Sequence, residues 1–239
     1  MVIITMFNFK QFSIEDNTSP MKVGTDGVLL GAWCPTKENT SILDIGCGCG
    51  LISLMLAQRI KNTSIKAIDI DKGAIENTQE NFRKSMWRNK LTAIGMSIQR
   101  FSEVSTDKFD IIVSNPPFFE ESLKSNKSKR NLARHNNSLP FKTLLQCVDK
   151  LMTIDGIFVG ILPINEGCRF IEQAKEYKLF CYKKIHVANK PSHAIKRIMF
   201  CLSRKEVDIT IAPTLFIRND DNSYSQEYLE LTKDFYTFI

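Results

Sequence analysis

Two short segments carry residue types and spacings that could do chemistry. The first is Asp44-Ile-Gly46-Cys-Gly48-Cys-Gly50, set between an apolar run over 41–45 and a helical pattern over 51–59. Glycines at alternate positions permit a tight turn and let a ligand lie against bare backbone. The spacing is G-x-G-x-G, not the G-x-G-x-x-G of dinucleotide sites, and an acid precedes it. An acid there can receive a cation and would repel a pyrophosphate. Asp69 closes the next apolar run, 19 residues beyond Gly50, where a carboxylate can accept hydrogen bonds from two ribose hydroxyls. The second segment is Asn115-Pro116-Pro117-Phe118, at the end of the apolar run over 109–114. Two prolines stop a strand and stiffen the backbone, which suits aiming a carbonyl and a side-chain amide at one atom.

A nucleoside whose far end is cationic fits the first segment, and S-adenosylmethionine has that charge pattern. Its ammonium end would meet Asp44, and its ribose Asp69. In the second segment, the Asn115 side-chain oxygen and the Pro116 carbonyl are two acceptors for the two N–H groups of a planar amine. Holding them aims the nitrogen lone pair at a methyl donor by positioning and electrostatics, without a strong base. Phe118 could stack on a base drawn out of its nucleic acid. The plain alternatives are a glycine turn with a loop acid, and a strand-ending turn with a core phenylalanine.

Together, D-x-G-x-G-x-G, the strand-ending Asp69 and N-P-P-F resemble class I S-adenosylmethionine-dependent methyltransferases acting on amino nitrogens. Phe9-Lys-Gln-Phe12, then 21–33 (MKVGTDGVLLGAW) and the tail 224–236 (YSQEYLELTKDFY), are similar to the tRNA(Val) adenine-37 N6-methyltransferase family. The resemblance runs from about residue 7 to the end. It implies methylation of N6 of an adenine beside the anticodon of a valine tRNA. It implies Asn115, Pro116 and Phe118 as catalytic residues, and cofactor contacts at Asp44, Gly46, Gly48, Gly50, Asp69, Ile70 and Asn115. Lys22, Thr25 and Asp26 would border the methionine end, and Ser97 and Ile98 the adenine. Ser97 departs from the aspartate common at that position, and Phe118 stands where tyrosine is commoner. Related Asn-Pro-Pro-aromatic sites serve release-factor glutamine, rRNA guanine and DNA adenine, and a non-catalytic RNA-binding protein with a retained pocket is a further alternative.

Short apolar runs alternating with helical patterns must position these segments. Runs over 41–45, 65–70, 92–98, 109–114, 156–162, 185–187 and 198–202 read as strands. Patterns over 51–59, 141–152 and 166–177 read as helices, as does one capped by Asp71 with Ile75, Thr78, Phe82 and Met86 on one face. Such alternation predicts an α/β, doubly wound, mostly parallel seven-stranded Rossmann-like sheet. We expect one domain over 1–239. Residues 1–40 would be an extension packing near the cofactor, 41–204 the core, and 205–239 a strand (214–217) and a helix (225–236).

The chain has 239 residues, 43% of them hydrophobic, enough for a sizeable core and against wholesale disorder. Its apolar runs are far shorter than the roughly 20 residues that span a bilayer, and its start lacks a signal-peptide pattern. A cytoplasmic protein with no membrane partner and no obligate protein partner is expected. Seven cysteines are spread without a C-x-x-C pair and there are three histidines, so no metal site is expected. The net charge of +6 is concentrated. Lys124, Lys127, Lys129, Arg130 and Arg134 follow the Asn-Pro-Pro-Phe segment with no acid among them, placed to meet phosphates. A second basic cluster holds Lys183, Lys184, Lys190, Lys196 and Arg197.

Overall fold

Met6–Asn8 (β1) and Ser13–Glu15 (β2) pair as an antiparallel hairpin in a computed structural model that describes residues 6–15, 23–116 and 139–238. Phe9 and Phe12 close its turn, with ring centroids 4.6 Å apart. Thr25–Trp33 (α1) is apolar on nearly every side and is buried accordingly. Ser41–Ile45 (β3), Leu51–Arg59 (α2), Ser64–Asp69 (β4) and Lys72–Lys84 (α3) follow. Next come Leu91–Gly95 (β5), Ile98–Val104 (α4), Phe109–Ser114 (β6), Phe141–Leu151 (α5) and Met152–Pro163 (β7). Ile164–Ala174 (α6), Phe180–Ala188 (β8), Arg197–Ser203 (β9), Thr210–Phe216 (β10) and Gln226–Thr232 (α7) complete the elements among the described residues.

The main sheet has the order β10-β8-β9-β7-β6-β3-β4-β5, in which only β9 runs against its neighbours. Among the described residues it has eight strands, where seven were expected. The eighth is β10, contributed by the tail, which pairs parallel to β8 and starts four residues before the expected 214. Alternate residues of each strand face opposite sides. Ile42, Val113 and Val159 pack with α1, α2 and the amino-terminal hairpin. Leu43, Ile112 and Phe158 pack with α4, α5 and α6.

Three boundaries differ from expectation for local reasons. β5 ends at Gly95, so Ser97 and Ile98 are not in a strand. Ser97 caps α4 by accepting from the Arg100 N–H at 3.2 Å, and Ile98 and Phe101 anchor that helix in the core. α3 stops at Lys84 because Ser85 donates its hydroxyl to the Phe82 carbonyl. Met86 is therefore solvent-exposed and Trp87 takes the buried position. The last helix spans only Gln226–Thr232, with Ser225 as its cap.

Candidate cofactor and active site

Strand order reverses between β3 and β6: from β3 the chain winds through β4 to β5, and from β6 it winds the other way to β7. In open α/β sheets the ligand crevice lies outside the carboxyl ends of the strands at such a switch point. Ile45 and Ser114 are registered partners there, tied further by the Ser114 hydroxyl donating to the Ile45 carbonyl at 2.8 Å. Gly46 and Asn115 are the next residues on each strand. The glycine loop and the Asn-Pro segment therefore leave the sheet side by side, about 5 Å apart at their roots. Asn115 is half-buried and Pro116 buried.

The loop is left-handed at all three glycines, with φ of 72° at Gly46, 57° at Gly48 and 82° at Gly50. They are not equivalent. A Cβ on Gly46 would meet nothing within 4 Å, so its face is open. One on Gly50 would lie 2.8 Å from the Phe82 ring. α3 clasps the loop from behind: Thr78 donates its hydroxyl to the Gly48 carbonyl (2.7 Å), and Asn81 donates its amide to the Cys49 carbonyl (2.9 Å). Asn81 also binds Glu15 of β2 in both directions, accepting at 2.9 Å and donating at 3.0 Å. The sequence does not single out Asn81; Thr78, expected on one helix face with Ile75 and Phe82, is fully buried there and adds a hydroxyl bond to the loop. The available signal was a polar residue on an otherwise apolar helix stripe.

Asp69 accepts from the Gly48 N–H at 3.0 Å through one oxygen and from the Asp71 N–H at 2.9 Å through the other. Each oxygen keeps a lone pair for a further donor. Ile70 follows it, 60% exposed, an apolar surface directly beside a carboxylate. Asp44 is fully buried beneath the loop. Ser53 donates to one of its oxygens at 2.7 Å, and the other has no partner. Burial pushes the Asp44 carboxyl up to about 7, Ser53 opposes this, and the nearby Asp69 charge adds to it.

α1 adds a second helix start to this edge. Gly27 faces Leu51 and Gly31 faces Met55, so α1 lies parallel to α2, with both N-termini beside the loop. A Cβ on Gly31 would sit 2.7 Å from the Met55 sulfur. Arg59, at the end of α2, donates to the Gly31 and Cys34 carbonyls, both at 2.8 Å. Thr25 and Asp26 are thereby brought near the loop, and Asp26 pairs with Arg197 at 2.8 Å. The Ser97 hydroxyl serves as a helix cap and Ile98 faces the core. Lys22, Phe118, Lys124, Lys127, Lys129, Arg130 and Arg134 lie outside the described residues. Among the described residues no three metal-ligating side chains gather, and no helix is long and apolar enough to cross a membrane.

These features fit S-adenosylmethionine. The open face of Gly46 is a cradle that a side chain would fill, and the unpartnered Asp44 oxygen is a buried acceptor suited to a cation. Asp69 with Ile70 offers acceptors for a ribose beside an apolar surface.

The Methyltransferase small domain family matches residues 22–141. A tRNA1(Val) (adenine(37)-N6)-methyltransferase of Flavobacterium johnsoniae is 43% identical over 232 residues, 97% of this chain and 99% of that one. A protein of the same name from Bacteroides thetaiotaomicron is 38% identical over 234 residues, 98% of each chain. Among solved structures, one titled a "predicted O-methyltransferase" of Agrobacterium tumefaciens superposes with a TM-score of 0.70 at 12% identity, covering 88% of this chain and 96% of that one. A TehB-like SAM-dependent methyltransferase of Corynebacterium glutamicum superposes with a TM-score of 0.52 at 17% identity, covering 78% and 90%. At such identities the solved structures speak for the fold, and the full-length relatives for the family. The chain is a class I methyltransferase and belongs to the tRNA1(Val) (adenine(37)-N6)-methyltransferase family.

Proposed function

We propose that this chain transfers a methyl group from S-adenosylmethionine to the exocyclic N6 of adenine 37 in a valine tRNA. The observation that carries this is the departure of Gly46 and Asn115 from one registered strand pair, which sets a cofactor cradle beside an amide clamp.

When bound, the cofactor supplies an electrophilic methyl on a sulfonium sulfur. Asp44, ionised, would hold its ammonium end, with Thr25 and Lys22 bordering that end. Gly46, Gly48 and Gly50 would let it approach the backbone, and Asp69 would accept from the ribose hydroxyls. Ile70 would cover one face of the adenine ring, with Ser97 and Ile98 at its edge. Asp26, already paired to Arg197, would act by fixing the start of α1. The Asn115 side-chain oxygen and the Pro116 carbonyl would accept the two N6–H groups of the target, exposing its lone pair, while Phe118 stacks on the base. The N6 proton becomes acidic only once the new C–N bond forms, so it leaves to solvent without a strong base. Lys124, Lys127, Lys129, Arg130 and Arg134 would meet phosphates of the substrate.

Methyl incorporation should be compared on tRNA, release factor, ribosomes and DNA. The expected result is labelling of valine tRNA and its loss when adenine 37 is replaced by guanine. Unlabelled tRNA would refute the assignment. Asn115→Ala should lower kcat by roughly 10²–10³-fold, the usual loss when one preorganised polar contact to the reacting group is removed. Its cofactor affinity, read by calorimetry, should be near that of the wild type.

A further inference from the structure

A cavity of about 320 Å³ opens on the same edge of the sheet, away from the glycine loop. That is the small end of the range for ligand sites, roughly 300–1,000 Å³. Phe7, Tyr224, Tyr236 and Phe238 supply its aromatic surface, and Asn189 and Arg218 its polar groups. Its place follows from topology. Asn189 directly follows β8 and Arg218 lies just beyond β10, both at the strands' carboxyl ends. β8 is three strand steps from β6, so the cavity lies about 14 Å along the edge from Asn115. Thr25, at the start of α1, lines it from the cofactor side.

The aromatic rings exceed what closing the chain's two ends needs. Tyr236 and Phe238 stack at 4.7 Å, Tyr224 and Phe238 at 5.5 Å, and Phe7 meets Tyr236 edge-on at 6.1 Å. Arg218 lies 4.2 Å over the Tyr224 ring. Yet Phe7 is 36% and Phe238 56% exposed, so apolar faces remain uncovered around an open space. The rim is basic and held in place. Ser192 binds the Asp220 carboxylate through its hydroxyl at 2.7 Å, and Lys190 reaches the Asp220 carbonyl at 3.4 Å, which fastens the β8–β9 turn to the turn after β10. Lys196 projects from the same turn, exposed. Two exposed acids share this rim, each engaged by a neighbouring serine: Asp220 accepts from Ser192, and Asp221 from the Ser223 hydroxyl at 2.6 Å.

We infer that this cavity takes a second, unpaired nucleobase of the substrate RNA, stacked on the Tyr236–Phe238 surface, while Lys190, Lys196 and Arg218 meet the flanking phosphates. Stacking rings beside cations is the chemistry by which single-stranded nucleic acid is held. The separation of about 14 Å, three interstrand spacings, places the cavity beside the amide clamp and apart from it, which suits a loop base near the target. This inference rests on the RNA reading above and extends it to a contact outside the amide clamp.

The test is the Phe7→Ala/Phe238→Ala double variant, two partly exposed rings, alongside Phe238→Tyr. Binding of a fluorescent anticodon stem-loop RNA is measured by anisotropy, and turnover on valine tRNA by methyl incorporation. Expected are a Kd and a KM for RNA raised at least fivefold, an unchanged KM for S-adenosylmethionine, and near-normal affinity in Phe238→Tyr. A thermal melt checks that the double variant is folded. In parallel, 5-iodouridine placed singly in the loop should crosslink wild-type protein at Tyr224, Tyr236 or Phe238. Unchanged RNA affinity in a folded double variant, or crosslinks confined to other segments, would overturn the inference. Wild-type protein that binds the RNA without methylating it would refute the proposed reaction and leave the cavity to be judged by the affinities.

Discussion

At the glycine loop, the backbone is held by directional bonds to side chains, two of them fully buried: Thr78 to Gly48, Asn81 to Cys49, and Gly48 to the half-buried Asp69. At the β8–β10 end of the same edge, the surface is a stack of rings, partly exposed, assembled from both ends of the chain. The contrast follows from what each must hold. A cofactor of fixed shape rewards polar groups set to a few tenths of an ångström, since misplacement weakens every hydrogen bond. An RNA loop base is flat and variable, and a stacking surface tolerates variety. Substitutions should therefore act sharply and position by position at the loop, and gradually at the ring surface.

The sharpest break is expected within the loop. Gly50→Ala adds a left-handed non-glycine residue, about 1–2 kcal/mol, and a 2.8 Å collision with Phe82, about 1–3 kcal/mol more. Chemical denaturation should show a loss of about 3 kcal/mol. Gly46→Ala has similar strain at φ 72° but open space around it. It should lose only about 1–2 kcal/mol of stability while its methyl fills the cradle and weakens cofactor binding by tenfold or more. If both variants lost stability equally with cofactor affinity intact, the loop would be a structural turn and nothing else.

Next in size is the clasp behind the loop. Asn81→Ala removes one donor–acceptor pair with Glu15 and one bond to the Cys49 carbonyl, taking a partner from partly or fully buried backbone groups. Each such group costs about 1–3 kcal/mol, so a loss near 2–3 kcal/mol is expected, with a raised Kd for S-adenosylmethionine. Wild-type cofactor affinity in a destabilised Asn81→Ala would mean that α3 supports the fold and does not shape the loop.

The same contrast governs what could be read from the sequence. The glycine loop, Asp69 and the Asn-Pro segment were legible because each packs its chemistry into consecutive residues at a strand end. The Asn81 clasp was not, since a polar residue on the apolar stripe of a helix is a signal without a meaning until its partners at Glu15 and Cys49 are known. Gly27 and Gly31 were quoted within a motif, but their use as contact points for α2 is a long-range fact. α4 escaped notice because seven residues show barely two turns of periodicity. The aromatic cavity joins Phe7 to residues beyond 223, which no sequence window contains.

The pH dependence is the most diagnostic of the cofactor side. Asp44 has its carboxyl raised from 3.8 to about 7 by burial. A raised carboxyl binds its proton more tightly folded than unfolded, so its contribution to stability is present below about pH 4 and lost as pH rises to about 7. That is opposite to the usual acid-denaturation slope, and Asp44→Asn should flatten it. Ligand binding carries the complementary sign. If the cationic end of the cofactor needs ionised Asp44, binding expels a proton below pH 7, and affinity should rise close to tenfold per unit between about pH 5 and 7. Calorimetry in two buffers of different ionisation enthalpy would report that proton directly. Asp44→Asn should bind more weakly at pH 7, release none, and lose the slope. A slope surviving in Asp44→Asn would move the ammonium contact to another group. The ring surface, which holds its ligand by stacking, should bind a loop RNA with no such proton release.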